Sequence, residues 1–487
     1  MIPSGMVPDV TVTQAVFGER SRGGRTALTD AASGRTITYA ELISLVGSAA
    51  AGLRRDGLCE GAVIAVHLPD SPELAVALHA VLAAGAVAVP IRPTETAAAM
   101  HRQLVETGAR ALITWPVLLD IALSAVENTP VARVLCFGAE PDVEPFSRLF
   151  SGRPVMPRPR LEPATDLAMI AFTRGTSGPA KQVRLTHRNL VAAMTQMAGA
   201  YGESDTVLSA LPFTDVLGFS SVLNPALQAG AVVATRPGAG RHDLLRAMQE
   251  RAVSVALLTP QLVEVLAYDR EVGRYNLRAL RSVISTGGPL RPEAARAAAQ
   301  RLRCPVRQAY GLAEAGGLTH INMRAAEEGT LDSVGRGLSD AVWQVRTFSG
   351  REESYEPGEL WLHGPMVAGE EPWARTGDAG FADEHGRLYI MGRMEAGVAE
   401  PPKTGPTSVL QQHPVVSDAA VIPVPDPELG LIAVAFVVVH GPAPDLLAYV
   451  NAEMPAFQRV HSLRIVEEIP RGPDGRVRRR SLIEGSG

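Results

Sequence analysis

The sequence predicts an α/β protein, with a large N-terminal domain of layered sheets and helices and a small α+β C-terminal domain. Two observations predict this class. Short apolar runs alternate with amphipathic segments along most of the chain, as in proteins whose helices cover a largely parallel sheet. A Gly- and Pro-rich stretch, AGVAEPPKTGPT (396–407), then precedes a separate alternating tail. We therefore expect an N-terminal domain at 1–393 and a C-terminal domain at 394–487.

The first elements carry clear local signals. RTITY (35–39) predicts a strand, and Thr38 and Glu41 have the spacing of a capping box for a helix that ends near Arg54. VIAVHL (63–68) predicts the strand that follows. A helix between two strands is the first unit of the alternation.

The next segment predicts a βαβ unit. Asp70 or Ser71 can cap a helix that has Pro72 in its first turn and Gly85 at its end, and AVAVPI (86–91) predicts the second strand. The N-terminal pattern continues with strands at 131–138, 229–237 and 281–288 and with helices at 241–252 and 291–302. The tail adds strands at 418–424, 431–439 and 463–469 and a helix at 445–454.

Composition argues against several classes of function. The 487 residues carry 46 basic and 51 acidic side chains and a formal charge of −5, so neither nucleic acid nor an anionic membrane is expected as a partner. Cys59, Cys136 and Cys304 have neither a metal-binding spacing nor that of a disulfide framework. The most apolar stretch (74–91) is interrupted by His, Gly and Pro, and the start lacks a signal-peptide pattern. We expect a cytoplasmic monomer or homodimer without a membrane span.

The stretch FTRGTSGPAK (172–181) predicts a phosphate-binding loop. The apolar run LAMIAFT (167–173) predicts a buried strand before it. Gly175 and Gly178 let the backbone turn and present its N–H groups, while hydroxyl side chains and Lys181 add donors and charge. The spacing is not that of a Walker A loop. On this stretch alone, a polar turn between a strand and a helix explains the residues equally well.

Motifs along nearly the whole chain resemble, in the same order, those of the adenylate-forming (AMP-dependent) synthetases and ligases, with acyl- and aryl-CoA ligases as the nearest type. The motifs that carry the resemblance are FTRGTSGPAKQVRLTHRNL (172–190), STGGPL (285–290), QAYGLAE (308–314), GELWLHGP (358–365), RTGD (375–378), GRLYIMGR (386–393) and PRGPDGRVRRRSL (470–482). Several ordered motifs are far more specific than any one of them.

The resemblance implies that ATP and Mg²⁺ are bound, and that a mobile C-terminal lid domain turns about a hinge near Glu395. Residues that it assigns to the phosphates of ATP are Thr173, Gly175, Thr176, Ser177, Gly178 and Lys181. Residues that it assigns to the adenosine side are Gly287, Gly288, Tyr310 and Gly311 for adenine, Asp378 for the ribose hydroxyls and Arg393 for the ribose or α-phosphate. Glu314 matches the carboxylate that binds Mg²⁺. Catalysis would be electrostatic, with Lys181, Glu314, Arg393 and Arg476 around the reacting phosphate.

Two departures from the family pattern concern the catalytic arginine and the acceptor. Arg476 stands where the family has a lysine that bridges the acyl carboxylate and the α-phosphate, and whether arginine does the same work stays open. Pro401 and Pro402 resist the strand that lines the pantetheine tunnel in CoA ligases, so thioester formation with CoA is in doubt.

Two further departures concern the substrate pocket. In PFTDVLGF (212–219), Phe213, Asp215 and Gly218 align with a stretch that borders the acyl site, and Asp215 replaces the usual histidine. Asp215 either binds a substrate amine or caps a helix. Arg174 stands where serine is usual, and it either adds charge beside the triphosphate, reaches a small anion or points to solvent.

The sequence leaves three hypotheses for the function. The first is an AMP-forming ligase that adenylates a small aromatic or short acid, releases pyrophosphate and passes the acid to a nucleophile, an amine or a thiol that need not be CoA. The second is an ATP-dependent diazotase of secondary metabolism, which activates nitrite and couples it to an aromatic amine. The third is a catalytically impaired homologue that only binds nucleotide, and the retained Lys181, Glu314 and Asp378 argue against it.

Overall fold

The computed structural model describes residues 7–18, 23–151, 154–173, 180–235, 240–322, 333–347, 356–369, 371–394, 406–426, 430–454, 459–471 and 482. The strands within these ranges are β1 (Thr26–Asp30), β2 (Thr36–Thr38), β3 (Val63–His67), β4 (Val87–Ile91), β5 (Ala111–Thr114), β6 (Arg133–Cys136), β7 (Glu144–Pro145), β8 (Leu167–Thr173), β9 (Lys181–Thr186), β10 (Thr206–Ser209), β11 (Val232–Thr235), β12 (Val255–Leu258), β13 (Ser282–Ser285), β14 (Val306–Leu312), β15 (Gly317–Ile321), β16 (Arg336–Gly337), β17 (Val342–Thr347), β18 (Gly358–His363), β19 (Ala374–Ala382), β20 (Leu388–Arg393), β21 (Val416–Asp426), β22 (Gly430–Val439) and β23 (Ser462–Ile465).

The α-helices in the described ranges alternate with these strands. They are α1 (Val12–Phe17), α2 (Tyr39–Arg55), α3 (Pro72–Ala84), α4 (Ala97–Thr107), α5 (Leu119–Val126), α6 (His187–Gln196), α7 (Val216–Gly218), α8 (Asn224–Ala229), α9 (Arg241–Glu250), α10 (Pro260–Tyr268), α11 (Pro292–Leu302), α12 (Pro406–Gln411) and α13 (Leu446–Glu453). None of the helices in this part of the chain has both the length and the hydropathy needed to cross a bilayer.

Two large sheets make up most of the described structure. One has nine strands in the order β16-β15-β14-β13-β12-β10-β11-β1-β2, and the other has seven in the order β7-β6-β5-β3-β4-β8-β9. Their central strands pair in parallel, for example β10 with β12 and β3 with β4. Helices cover the sheets, so the predicted α/β class is confirmed. Because the central strands are parallel, their carboxyl ends lie at one edge of each sheet, where α/β proteins place their ligands.

The βαβ unit of the seven-stranded sheet shows how local sequence directs this fold. Ser71, rather than Asp70, caps α3, since its side chain accepts a hydrogen bond from the Leu74 backbone. Gly85 ends the helix with a φ of 87°, a left-handed conformation that favours glycine. The helix is apolar on all sides and buried along nearly its whole length, because it lies between layers. The capping box at Thr38 and Glu41 is likewise confirmed at the start of α2.

Two smaller sheets follow in the chain. Strands β17-β18-β19-β20 form an antiparallel sheet, and β21-β22-β23 form the three-stranded sheet of the small C-terminal domain, with α12 and α13 beside it. The core of this domain contains Leu410, Ala435 and Val450, each fully buried. The boundary predicted after Arg393 coincides with the end of β20, and it stays a prediction because 395–405 lie outside the described residues.

Candidate active site

The predicted phosphate loop joins two antiparallel strands. Thr173 ends β8 and Lys181 begins β9, and the two residues are register partners. The Thr173 hydroxyl lies 3.5 Å from the Lys181 carbonyl oxygen, and the Lys181 side chain is exposed. Strand β9, and not a helix, therefore follows the loop directly. Whether the loop binds phosphate or is only a polar turn stays open, because 174–179 lie outside the described residues. The polar residues of KQVRLT (181–186) interrupt the regular alternation of apolar and polar residues, so the sequence did not predict this strand.

Several predicted residues lie outside the described part of the chain. They are the loop residues Arg174, Gly175, Thr176, Ser177 and Gly178, the arginine Arg476, and the hinge residue Glu395. Their assigned roles remain predictions.

Two of the predicted adenosine residues, Tyr310 and Asp378, meet where β14 and β19 lie close together. The Tyr310 hydroxyl on β14 donates a 2.6 Å hydrogen bond to Oδ2 of Asp378 on β19. The Asp378 backbone N–H donates to the Thr376 hydroxyl at 3.0 Å, and Asp378 is the register partner of Arg393 on β20. Two motifs 68 residues apart in the chain thus meet side by side. We name this group, Tyr310, Asp378 and the adjoining glycines, the nucleotide edge.

Glycine is required at two of these positions for different reasons. Gly287 follows β13 with a φ of +87°, which L side chains rarely adopt. A Cβ on Gly311 would lie 2.4 Å from the Gly317 carbonyl oxygen across the β14–β15 hairpin. Gly288 follows Gly287 at the same turn, where a Cβ would meet only Pro260, 3.6 Å away. The tight hairpin at Gly311 places Glu314 directly after β14.

Glu314 fits the part of the Mg²⁺ site that the resemblance assigns to it. It lies on a short 3₁₀ helix, Ala313–Ala315, half-buried, and its backbone carbonyl accepts a 2.8 Å hydrogen bond from Ala368. Within the described ranges, no cluster of three or more His, Cys, Asp or Glu side chains could hold a metal ion. A single carboxylate suits Mg²⁺ that takes its other ligands from water and phosphates.

The predicted acyl residues lie on the loop between β10 and α7, Phe213 and Asp215, and at the end of α7, Gly218. Phe213 is buried, and its backbone N–H donates to Oδ1 of Asp70 at 2.9 Å. Gly218 allows a close approach of backbone, since a Cβ there would lie 2.1 Å from the Pro212 carbonyl oxygen. A Cβ on Gly287 would lie 3.9 Å from the Leu211 side chain, and α7 packs against β14. The loop therefore adjoins the nucleotide edge.

Asp215 forms an ion pair that the sequence did not predict. Its Oδ1 accepts from Nε of Arg92 at 2.6 Å, and both side chains are about three-quarters buried, with exposed fractions of 26% and 22%. Asp215 occupies the N-cap position of α7, but its side chain makes no capping hydrogen bond. The helix-cap interpretation is therefore wrong. Asp215 and Arg92, with their surroundings, are named the acyl edge below.

A small pocket opens beside this pair. Its lining includes Arg92, Glu95, Gln103, Thr173, Thr214 and Asp215. The pocket thus extends from the end of β8, where the predicted phosphate loop begins, to the acyl edge. Residues from both large sheets contribute to it, because Arg92 follows β4 and Asp215 follows β10.

Arg92 and Asp70 are site residues that sequence reasoning missed. Arg92 directly follows an apolar parallel strand and Asp70 comes shortly after another, and this position at the carboxyl end was the available signal. Asp70 was considered only as a helix cap. Its observed partner, Phe213, is 143 residues away in the chain.

A neutral histidine lies behind each edge. His320 on β15 is buried between the Tyr310 and Trp343 rings, and burial lowers its pKa to about 3. His67 on β3 is fully buried, and burial lowers its pKa to about 4, against a smaller opposing effect of the Arg92 and Pro93 backbone. Both imidazoles are therefore uncharged at neutral pH.

Comparison with known proteins identifies related sequences along nearly the whole chain. Residues 15–370 match the family model for AMP-binding enzymes, and 408–476 match that for the AMP-binding enzyme C-terminal domain. A 4-coumarate–CoA ligase from Oryza sativa subsp. japonica (number 2) is 30% identical, over 93% of this chain and 88% of its own length. Another from the same plant (number 5) is 27% identical over 99% and 96%.

Solved structures share the fold. The amide bond synthetase McbA from Marinactinospora thermotolerans superposes with a TM-score of 0.72 at 26% identity, over 98% of this chain and 99% of that one. The anthranilate CoA ligase AuaEII, solved with anthranoyl-AMP, gives a TM-score of 0.74 over 98% and 97%, and at 19% identity it supports the fold alone.

Proposed function

Because the chain belongs to the AMP-binding enzyme family, we propose that it activates an aromatic carboxylic acid with ATP and transfers the acyl group to a nucleophile. The observation that carries the proposal is the 2.6 Å hydrogen bond between Tyr310 and Asp378. It supports the assigned roles, since a tyrosine ring for the base and a carboxylate for the ribose must lie side by side to hold one nucleoside.

The proposed reaction has two steps. In the first, a carboxylate oxygen attacks the α-phosphorus, the bond to the β-phosphate breaks, and pyrophosphate leaves. In the second, the nucleophile attacks the acyl carbon and AMP leaves with the electron pair of the broken C–O bond. Mg²⁺ on the triphosphate would offset charge, with Glu314 as its protein ligand. Lys181 at the start of β9, together with Arg393 and Arg476, would stabilise charge on the α-phosphate.

The nature of the acid follows from the relatives and the acyl edge. Aryl acids are substrates of the 4-coumarate–CoA ligases by their names. The acyl loop presents buried Phe213 beside a polar pair. An aromatic acid with a polar ring substituent suits such surroundings.

The diazotase hypothesis has less support than the sequence gave it. It would gain from a carboxylate near the aromatic amine, and one oxygen of that carboxylate, Oδ1 of Asp215, already accepts from Arg92 at 2.6 Å. In the experiment below, pyrophosphate release that requires nitrite would therefore contradict the proposed function.

Pyrophosphate release from Mg-ATP tests the proposed function. Aromatic and short carboxylic acids are compared with nitrite, given together with an aminoaryl acid or alone. We expect release that depends on an aromatic carboxylic acid, and no release by an Asp378→Ala variant. Release that requires nitrite would favour diazotisation, and nucleotide binding without any release would favour the impaired homologue.

A further inference from the structure

We propose that the pocket beside the Arg92–Asp215 pair receives the acceptor, and that this acceptor is a small primary amine that arrives as its ammonium ion. The inference rests on the proposed function, because an acceptor is needed only after an acyl adenylate has formed. It goes beyond that function by naming the acceptor's chemical class and the residues that select it.

The position of the pocket suits an acceptor. Thr173 lies on its wall at the end of β8, next to the predicted phosphate loop. Thr214 and Asp215 lie on another wall and belong to the acyl loop. The adenylate joins an acyl group to a phosphate, so its reactive carbonyl carbon lies between the groups that these two regions would hold. A nucleophile in the pocket is therefore beside the bond that must break.

The charges of the pocket select the class of acceptor. The lining contains the carboxyl groups of Glu95 and Asp215 and the guanidinium group of Arg92, so its formal charge is one net negative charge. An ammonium ion is attracted to such a site, whereas the phosphates of CoA are repelled.

Hydrogen-bond acceptors for an ammonium group are also present. Asp215 uses Oδ1 for Arg92, and among the described residues its Oδ2 makes no hydrogen bond. Thr214 is 4% exposed, and its hydroxyl has no hydrogen-bond partner within the described structure. A buried polar group without a partner is unfavourable, and an N–H donor in the pocket would satisfy it.

The transfer step balances without a further reactant. The ammonium ion gives one proton to solvent and becomes the free amine. Its nitrogen then forms the bond to the acyl carbon, and the bond from that carbon to the phosphate oxygen breaks, so that AMP leaves with the electron pair. The second proton leaves the nitrogen for solvent, and the product is an amide.

The experiment separates the two steps. Acid-dependent ATP–pyrophosphate exchange measures adenylation without any acceptor. Product formation is then followed by mass spectrometry with methylamine, ethylamine or CoA, using an acid that supports exchange. We expect amides and no thioester.

Charge variants test the role of the pocket. Glu95→Gln removes one negative charge and should raise the KM for the amine about fivefold, whereas Arg92→Gln removes the positive charge and should lower it by a similar factor. Glu95→Gln should keep pyrophosphate exchange within about twofold of the wild type, which also shows that it folds. The folding of Arg92→Gln is checked by urea unfolding instead, because Arg92 belongs to the acyl edge. Glu106→Gln is the matched control, since Glu106 is exposed on α4, the helix that follows Glu95, and does not line the pocket.

Each contrary result identifies what failed. Exchange followed by a CoA thioester and no amide would overturn this inference and leave the proposed function intact. Amine KM values that shift in the same direction in both variants would contradict a charge-based role. A change in the KM for the acid instead would assign the pocket to the acid. Without acid-dependent exchange both proposals fail.

Discussion

The nucleotide edge and the acyl edge are built in different ways. At the nucleotide edge, Tyr310 and Asp378 are joined by a hydrogen bond between neutral and charged groups, and the residues match the family motifs. At the acyl edge, Arg92 and Asp215 are joined by an ion pair, and Asp215 departs from the motif. The residues proposed to hold ATP thus match the family motifs, whereas the part that would contact acid and acceptor has its own charges.

The largest expected effect is at the nucleotide edge. Asp378→Asn replaces the carboxylate that accepts from Tyr310 and, by our proposal, from both ribose hydroxyls. We expect acid-dependent ATP–pyrophosphate exchange to fall by about 100-fold or more, because hydrogen bonds to a charged carboxylate are much stronger than those to a neutral amide. Tyr310→Phe removes only the hydroxyl and should cost about tenfold or less. An Asp378→Asn variant that keeps most of its activity would show that the pair is only structural.

Backbone crowding at the acyl edge predicts a large effect on stability. In Gly218→Ala the new Cβ would lie 2.1 Å from the Pro212 carbonyl oxygen, so the loop must shift. We expect the free energy of unfolding to fall by about 2 kcal/mol or more in urea denaturation. The control is Gly24→Ala, whose Cβ would have nothing within 4 Å, and which should change stability by less than about 0.5 kcal/mol. Equal effects of the two variants would contradict the crowding.

The buried histidines predict a dependence of stability on pH. Burial lowers the pKa of His67 to about 4 and that of His320 to about 3, below the value near 6.5 of an unfolded chain. As the pH falls below about 6.5, the unfolded state binds protons that the folded state does not. The free energy of unfolding should therefore decrease, by up to about 1.4 kcal/mol per pH unit for each histidine.

Urea unfolding at pH 7 and pH 5 measures this slope. His67→Gln and His320→Gln should each reduce it, because glutamine does not titrate. His385→Gln is the control, since the His385 side chain is 56% exposed, and it should leave the slope unchanged. Variants of the two buried histidines that keep the full slope would assign it to other groups.

The smallest expected effect is the coupling between Arg92 and Asp215. Both side chains retain some exposure, 22% and 26%, so solvent screens the pair. In a double-mutant cycle with Arg92→Gln and Asp215→Asn, the coupling in unfolding free energy should be about 1 kcal/mol or less. A much larger value would mean that the pair holds the acyl loop in place.

Local patterns in the sequence predicted much of the fold and pointed to the two residues that meet at the nucleotide edge. The capping box at Thr38 and the glycine that ends α3 at Gly85 act over a few residues, so they are visible in one chain. Tyr310 and Asp378 were found because each belongs to a motif. Strand β9 was missed because Lys181 and Arg184 lie on opposite faces of it, so its polar and apolar residues do not alternate regularly.

The acyl edge could not be predicted for a physical reason. Arg92 and Asp215 are 123 residues apart and follow strands of different sheets. Nothing within either segment specifies the other, and only the packing of the two sheets brings them together. From its neighbours in the sequence, Asp215 was interpreted as a helix cap or as a carboxylate for a substrate amine. Neither interpretation includes its observed ion pair with Arg92.

The hydrogen bond from the Phe213 backbone to Asp70 has a consequence for how such enzymes diversify. The bond holds the acyl loop by its main chain, 2.9 Å from a carboxylate on the other sheet. Any residue at position 215 leaves that N–H in place. The loop can therefore exchange the side chain at position 215 while its course is preserved, so the charge of the proposed acyl edge can change in evolution by one substitution rather than by a rebuilt loop.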